Sequence, residues 1–182
     1  MGASTWNYFV PYDGAPERAL RQLREDVFRN EKYGDGIPSA GSMRTTLEEL
    51  IAERPDAAEA RDRLEAMIKK IEALRAQMPE MPKPSTIEEL LEQRAENGTH
   101  SILDIQGISP TPDFGAVSPL PREDLVALFG SDQPTHEAVE AMLGDERLME
   151  HPLIAERWQG VYFTVYRDDQ PAELCFIGTS GD

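Results

Sequence analysis

The strongest hydrophobic pattern lies near the end of the chain. In residues 160–166, valine and phenylalanine alternate with tyrosine and threonine. A period of two places one set of side chains on each face of a β-strand. Residues 173–177 are again rich in strand formers, and Asp-Asp-Gln-Pro at 168–171 is typical of a turn. The pattern predicts an antiparallel hairpin.

Two further segments have the composition of strands. Residues 5–10 are aromatic and β-branched, and Pro11 ends them. Residues 99–105 read Thr-His-Ser-Ile-Leu-Asp-Ile, which predicts a strand with His100, Ile102 and Asp104 on one face. We expect residues 5–10 and the hairpin to share one antiparallel sheet, with residues 99–105 at its centre.

Helical spacing of apolar residues appears between these strands. A stripe at residues 15–30 predicts an amphipathic helix, and capping signals predict further helices at 86–96, 125–129 and 135–144. Residues 107–121, with four prolines and two glycines, are predicted to be a loop. The predicted fold is α+β, with a small, mainly antiparallel sheet of about four strands and inserted helices.

One predicted helix has a different period. Its apolar residues follow a 3-4 spacing typical of coiled coils: Ala57, Ala60, Leu64, Met67, Ile71, Leu74 and Met78. The helix predicted at 46–53 is too short to cover this seam. We therefore expect a homodimer through residues 57–78, with covering by the helix at 86–96 as the alternative.

These elements suggest a single α+β domain over residues 1–182. Residues 43–78 are then a helical hairpin inserted into it. Residues 79–85 contain three prolines and are predicted to be a stiff linker.

The charge of the chain limits the classes of partner that it is expected to bind. The chain has 34 acidic and 18 basic residues, and residues 79–182 alone contain 20 acidic and 6 basic ones. Such a surface repels phosphate backbones, so we expect no direct nucleic-acid binding. It suits a basic protein partner, or it serves only solubility.

Candidate chemistry is sparse. The three histidines lack metal-ligand spacing and Cys175 is the single cysteine, so we expect no metal, no cofactor and no intramolecular disulfide. No apolar run approaches the length of a membrane helix and no signal peptide is evident, which favours no membrane association and a cytoplasmic location.

Polar and aromatic residues leave two kinds of site open. An enzyme pocket would draw on His100, Asp104, Tyr162 and Tyr166. A ligand or partner surface would draw on Trp6, Tyr8, Tyr12, Arg157 and Trp158, unless helices cover both sheet faces and bury these rings.

The sequence leads to three hypotheses about function, given in decreasing order of support. The first hypothesis is a non-catalytic interaction or regulatory protein acting through an acidic and aromatic surface. The alternatives are a small-molecule enzyme with a Tyr/His/Asp pocket, and an acidic decoy of a nucleic-acid-binding protein.

Overall fold

The computed structural model describes residues 4–34, 47–48, 51, 58–77, 82–96 and 98–180. The chain divides into two compact units: Met1–Gly34 with Ser85–Asp182 form the first, and Asp35–Pro84 form the second. The predicted insertion at 43–78 falls in the sequence of the second unit. Much of its first half, and residues 79–81 of the predicted linker, lie outside the described residues.

The first unit is built on a five-stranded mixed sheet. The strands are β1 (Thr5–Pro11), β2 (Gly107–Ile108), β3 (Ala116–Pro119), β4 (Gln159–Arg167) and β5 (Gln170–Thr179). Their spatial order is β1-β5-β4-β3-β2. β5 pairs antiparallel with both β1 and β4, whereas β3 pairs parallel with β4 and with β2. The predicted antiparallel sheet of β1 and the hairpin is confirmed.

The hairpin turn follows from its two central residues. Asp168 and Asp169 both have positive φ, of 52° and 59°. Two successive left-handed residues match the right-handed twist of the flanking strands, and aspartate tolerates this conformation better than most residues. The local sequence therefore sets the pairing next to the turn, and the register of β4 and β5 shifts by one residue at a bulge between Val165 and Tyr166.

Helices cover both faces of the sheet. On one face lie α1 (Pro16–Arg29) and α3 (Ile87–Gln93). The helix α2 (Ala58–Gln77), which comes between them in sequence, belongs to the second unit. On the other face lie α4 (Arg122–Phe129), α5 (His136–Met142), α6 (Glu146–Met149) and α7 (Pro152–Ala155). We call α1, α3 and the 3₁₀ turn described below the α1 layer, and we call the four helices α4 to α7 the acidic layer.

The α1 layer depends on one amphipathic helix, as the sequence predicts. Pro16 opens α1, where its fixed φ suits a helix start and its missing N–H costs nothing. The buried stripe of α1 consists of Ala19, Leu20, Leu23 and Val27. It packs with Trp6, Leu174 and Phe176 of the sheet in one apolar cluster.

The predicted central strand at 99–105 is wrong. Residues Ile102–Asp104 form a 3₁₀ turn, and the central strand is β4. The cause is local hydrogen bonding, which competes with strand pairing. Ser101 Oγ accepts from Leu103 N at 3.2 Å, and Asp104 Oδ1 accepts from Thr99 N at 2.7 Å. His100 and Asp104 therefore do not share a strand face.

The predicted loop at 107–121 contains two short strands, so the sheet has five strands among the described residues where about four were predicted. This segment contains β2 and β3, which are only 2 and 4 residues long. Strands this short show no measurable alternation, and Ala116, Val117 and Ser118 of β3 are all buried. Their pairing in parallel makes the sheet mixed.

The helix α2 of the second unit buries a narrower stripe than the 3-4 seam predicts. Ile68 and Ile71 are buried, with Leu64 and Leu47 packed against them. Met67 and Leu74 of the predicted seam remain 49% and 50% exposed. Ala57 and Met78 lie outside the described residues. A coiled-coil partner for α2 stays a prediction.

Candidate functional site

Several polar residues meet at the end of the sheet where β1 and β4 begin and β5 ends. Nδ1 of His100 lies 2.9 Å from Oγ of Ser4. The backbone N–H of Ser180 donates to the Ser4 carbonyl at 2.8 Å, and that of Trp158 donates to the Thr179 carbonyl at 2.9 Å. We call this group the strand-end cluster.

The carboxylate of Asp104 lies next to the strand-end cluster, and Asp104 is buried, at 3% exposure. Its Oδ1 accepts from Thr99 N, while its Oδ2 has no hydrogen-bond partner among the described residues. A Cβ added to Gly98 would lie 3.1 Å from both Oδ2 of Asp104 and Cη2 of Trp158. The carboxylate of Asp104 and the edge of the Trp158 ring thus both lie close to Gly98.

Tyr8 is linked to this carboxylate. Burial raises the pKa of the Tyr8 phenol; the Ile102 backbone opposes the rise by hydrogen bonding, and the charge of Asp104 adds to it. The phenol therefore stays protonated at neutral pH. Tyr8 and Asp104 are two of the predicted site residues that the fold brings together.

Two residues of the cluster have unusual backbone conformations. His100 has φ 53° and Trp158 has φ 61°, in the left-handed region that non-glycine residues rarely adopt. The Trp158 ring packs against Phe114 with a centroid separation of 5.7 Å, and Phe114 is 68% exposed. Arg157, which precedes Trp158, is exposed.

Trp6 is not part of a surface. It is 5% exposed, and its indole ring lies over two glycines of the neighbouring strands, Gly178 and Gly160. A Cβ on Gly178 would lie 2.4 Å from Cζ2 of Trp6, and one on Gly160 would lie 2.8 Å from its Cη2. The two glycines make room for the ring, so Trp6 belongs to the core.

The predicted Tyr/His/Asp pocket is divided between the two ends of the sheet. Trp158 stands just before β4 and Tyr166 near its end, so the eight residues of extended chain between them separate their Cα atoms by roughly 26 Å. Tyr12, just after β1, is also at the hairpin end and is 40% exposed. Tyr162, in mid-strand, packs against Phe176. These tyrosines do not converge on His100.

A site that the sequence analysis missed surrounds His136. Nδ1 of His136 lies 2.7 Å from Oε2 of Glu173, and Nε2 lies 3.3 Å from Oε1 of Glu140. The imidazole stacks on Phe9 with a centroid separation of 4.2 Å. The hydrogen bond to Glu173, with a smaller contribution from Glu140, raises the pKa of His136. Only the Glu140 spacing is a local signal, because Glu173 belongs to a distant strand.

The acidic layer forms a charged surface. Residues 121–156 contain nine acidic residues and two arginines. Each arginine pairs with a nearby acid: Arg122 with Asp132 at 2.7 Å, and Arg147 with Asp145 at 3.1 Å. Six glutamates are exposed: Glu123, Glu137, Glu140, Glu146, Glu150 and Glu156. By contrast, α1 contains four arginines and three acids, and α3 adds three glutamates.

Other chemistry is limited in the described part of the chain. No group of three histidine, cysteine or carboxylate side chains is placed to hold a metal ion there. Cys175 is buried, which raises the pKa of its thiol and makes it a poor nucleophile. Among the described helices, none has both the length and the apolar character needed to cross a bilayer.

Comparison with protein families, curated proteins and solved structures finds no match to this chain.

Proposed function

We propose that this protein is a non-catalytic binding factor whose acidic layer receives a basic surface of a partner protein. The observation that carries the proposal is the unequal charge of the two helix layers. The acidic layer has seven more acids than bases, whereas the α1 layer, counted over α1, α3 and the 3₁₀ turn, has three more. A partner is thus directed to one face of the sheet.

The difference in charge between the two layers can guide a basic partner to the acidic layer. Exposed carboxylates on one face produce a negative potential that steers a basic partner and speeds its association. Both arginines of the layer are engaged by Asp132 and Asp145, so they do little to offset the remaining acids. The same potential disfavours nucleic acid, whose phosphates carry like charge.

The arrangement of the tyrosines favours binding over catalysis. A catalytic site needs its acid, base and substrate within hydrogen-bonding distance. Tyr12 and Tyr166 lie at the opposite end of the sheet from His100 and Asp104. The residues predicted for an enzyme pocket therefore do not form one constellation.

Affinity purification of matched variants tests the proposal. The layer variant changes Glu123, Glu146, Glu150 and Glu156 to glutamine. The control variant makes the same change at four exposed glutamates of the α1 layer: Glu17, Glu25, Glu88 and Glu92. We expect a basic partner that the wild type and the control retain and the layer variant loses. Partners retained or lost equally by both variants would contradict the proposal.

We further propose that α2 pairs with a second copy of the chain. The half-exposed Met67 and Leu74 lie seven residues apart, which is one heptad, and support this pairing. Changing both to lysine spares the buried Ile68 and Ile71. We expect sedimentation to show a dimer for the wild type and for the control Ala73→Lys, and a folded monomer for the double variant. A monomeric wild type at high micromolar concentration removes this proposal.

A further inference from the structure

The strand β1 leaves one edge of the sheet open. Among the described residues it pairs only with β5. Two flanking hydrogen bonds, from Tyr12 N to the Ala172 carbonyl and from Ser180 N to the Ser4 carbonyl, define which residues face β5. Hydrogen-bonded positions alternate in an antiparallel pair, so the even-numbered residues of β1 bond to β5. The backbone groups of Thr5, Asn7 and Phe9 are directed outward.

In the part of the chain that the structure describes, this edge lacks the usual protection against strand addition. Edge strands are commonly blocked by charged side chains, bulges, prolines within the strand or a covering helix. β1 has no charged residue, although 29% of the chain is charged, and its proline is at its last position. Thr5 and Asn7 are exposed. The edge therefore presents three outward N–H donors, at Thr5, Asn7 and Phe9, that a further strand can pair with.

Carboxylates flank this edge on the acidic-layer side. Phe9 stacks under His136, and His136 contacts both Glu173 and Glu140. Glu140 is exposed. A strand added to β1 would direct alternate side chains toward this group, because successive side chains of a strand point to opposite faces.

We propose that the open edge of β1 binds an extended segment of a partner protein, with a basic residue facing Glu140. Backbone hydrogen bonds to Asn7 and its neighbours would hold the segment as a sixth strand, and Glu140 would select its charge. This inference rests on the proposed function, because it names how a basic partner binds. A second copy of β1 is disfavoured as the occupant, because Thr5–Pro11 contains no basic side chain that could face Glu140.

Hydrogen exchange of the free protein tests whether the edge is open. We expect the amide protons of Asn7 and Phe9 to exchange at least about tenfold faster than those of Tyr8 and Val10, which bond to β5. Slow exchange at Asn7 and Phe9 in the free chain would mean that the edge is already paired, and would overturn the inference.

Binding of a defined probe tests the occupant. The probe is a ten-residue peptide alternating lysine and valine, and glutamate replaces lysine in its control. Asn7→Pro removes an outward N–H without removing a bond to β5, and Asn7→Thr keeps that N–H. By calorimetry we expect wild type and Asn7→Thr to bind the lysine peptide, with at least about tenfold weaker binding by Asn7→Pro. Equal binding by all three, or none by the wild type, overturns the inference.

The layer variant separates this inference from the proposed function. It keeps Glu137 and Glu140, so a loss of peptide binding by Asn7→Pro but not by the layer variant supports the edge alone. Loss by the layer variant with full binding by Asn7→Pro overturns strand addition and leaves the acidic layer as the binding surface. A wild type that sediments as a dimer and an Asn7→Pro monomer would show that the occupant is a second copy, and would also overturn it.

Discussion

The two helix layers solve the same packing problem with different elements. In the α1 layer, one 14-residue helix supplies four buried apolar side chains. In the acidic layer, four helices of 4 to 8 residues each supply one or two. Short helices are unstable alone, and here side chains cap three of them: Thr135, Asp145 and His151.

The layers also differ in where their polar groups lie. The α1 layer contains buried Thr99, Ser101 and Asp104, which hydrogen-bond within one turn. The acidic layer keeps its carboxylates outside, and several are exposed. Polar residues of the α1 layer therefore stabilise its backbone conformation, whereas those of the acidic layer form a charged surface.

The largest expected effect concerns the packing of Trp6, which lies on the face of the sheet that the α1 layer covers. Gly178→Ala would force a methyl group against the Trp6 ring and the Gln159 carbonyl. We expect the free energy of unfolding to fall by about 3 kcal/mol, at the upper end of overpacking costs. Chemical denaturation measures it. Gly107→Ala, which has no atom within 4 Å of the added Cβ, is the control. Equal losses in the two variants would remove this role of Trp6.

A second test compares a buried acid with an exposed cap. Asp104→Ala leaves the buried N–H of Thr99 without its acceptor, which we expect to cost about 2 kcal/mol of unfolding free energy. Thr135→Ala removes the bond from Ala138 N at the start of α5, at a cost of about 1 kcal/mol. Asp104→Asn, which retains an acceptor, should lose less than Asp104→Ala. A larger loss at Thr135 than at Asp104 would reverse the comparison.

The smallest expected effect is the pH dependence of the contact between α5 and β5. The pKa of His136 in the folded state is raised, so its stabilising contribution is full below its ordinary pKa and is lost as pH rises through the folded value. We expect His136→Gln to lower the unfolding free energy by less than about 1 kcal/mol in acid, since the pair is partly exposed. The difference from wild type should shrink toward alkaline pH; a constant difference would argue against the ion pair.

Local patterns determined much of the fold. Alternation in β4, the strand-forming composition of β5 and β1, and the helical stripe of α1 each lie within one element, so periodicity and composition predict them. The concentration of acids after residue 79 is likewise a property of the chain. These features depend on neighbours within one or two turns or pleats, which the sequence states directly.

Only the tertiary structure decided how those elements meet. Glu173 contacts His136 across 37 positions, and Ser4 contacts His100 across 96. The parallel pairing of β3 and the burial of Trp6 over two glycines depend on such distant partners. Hydrophobic periodicity specifies which face of an element is buried but not which element covers it. The site around His136 and the open edge of β1 therefore emerge only from the packed sheet.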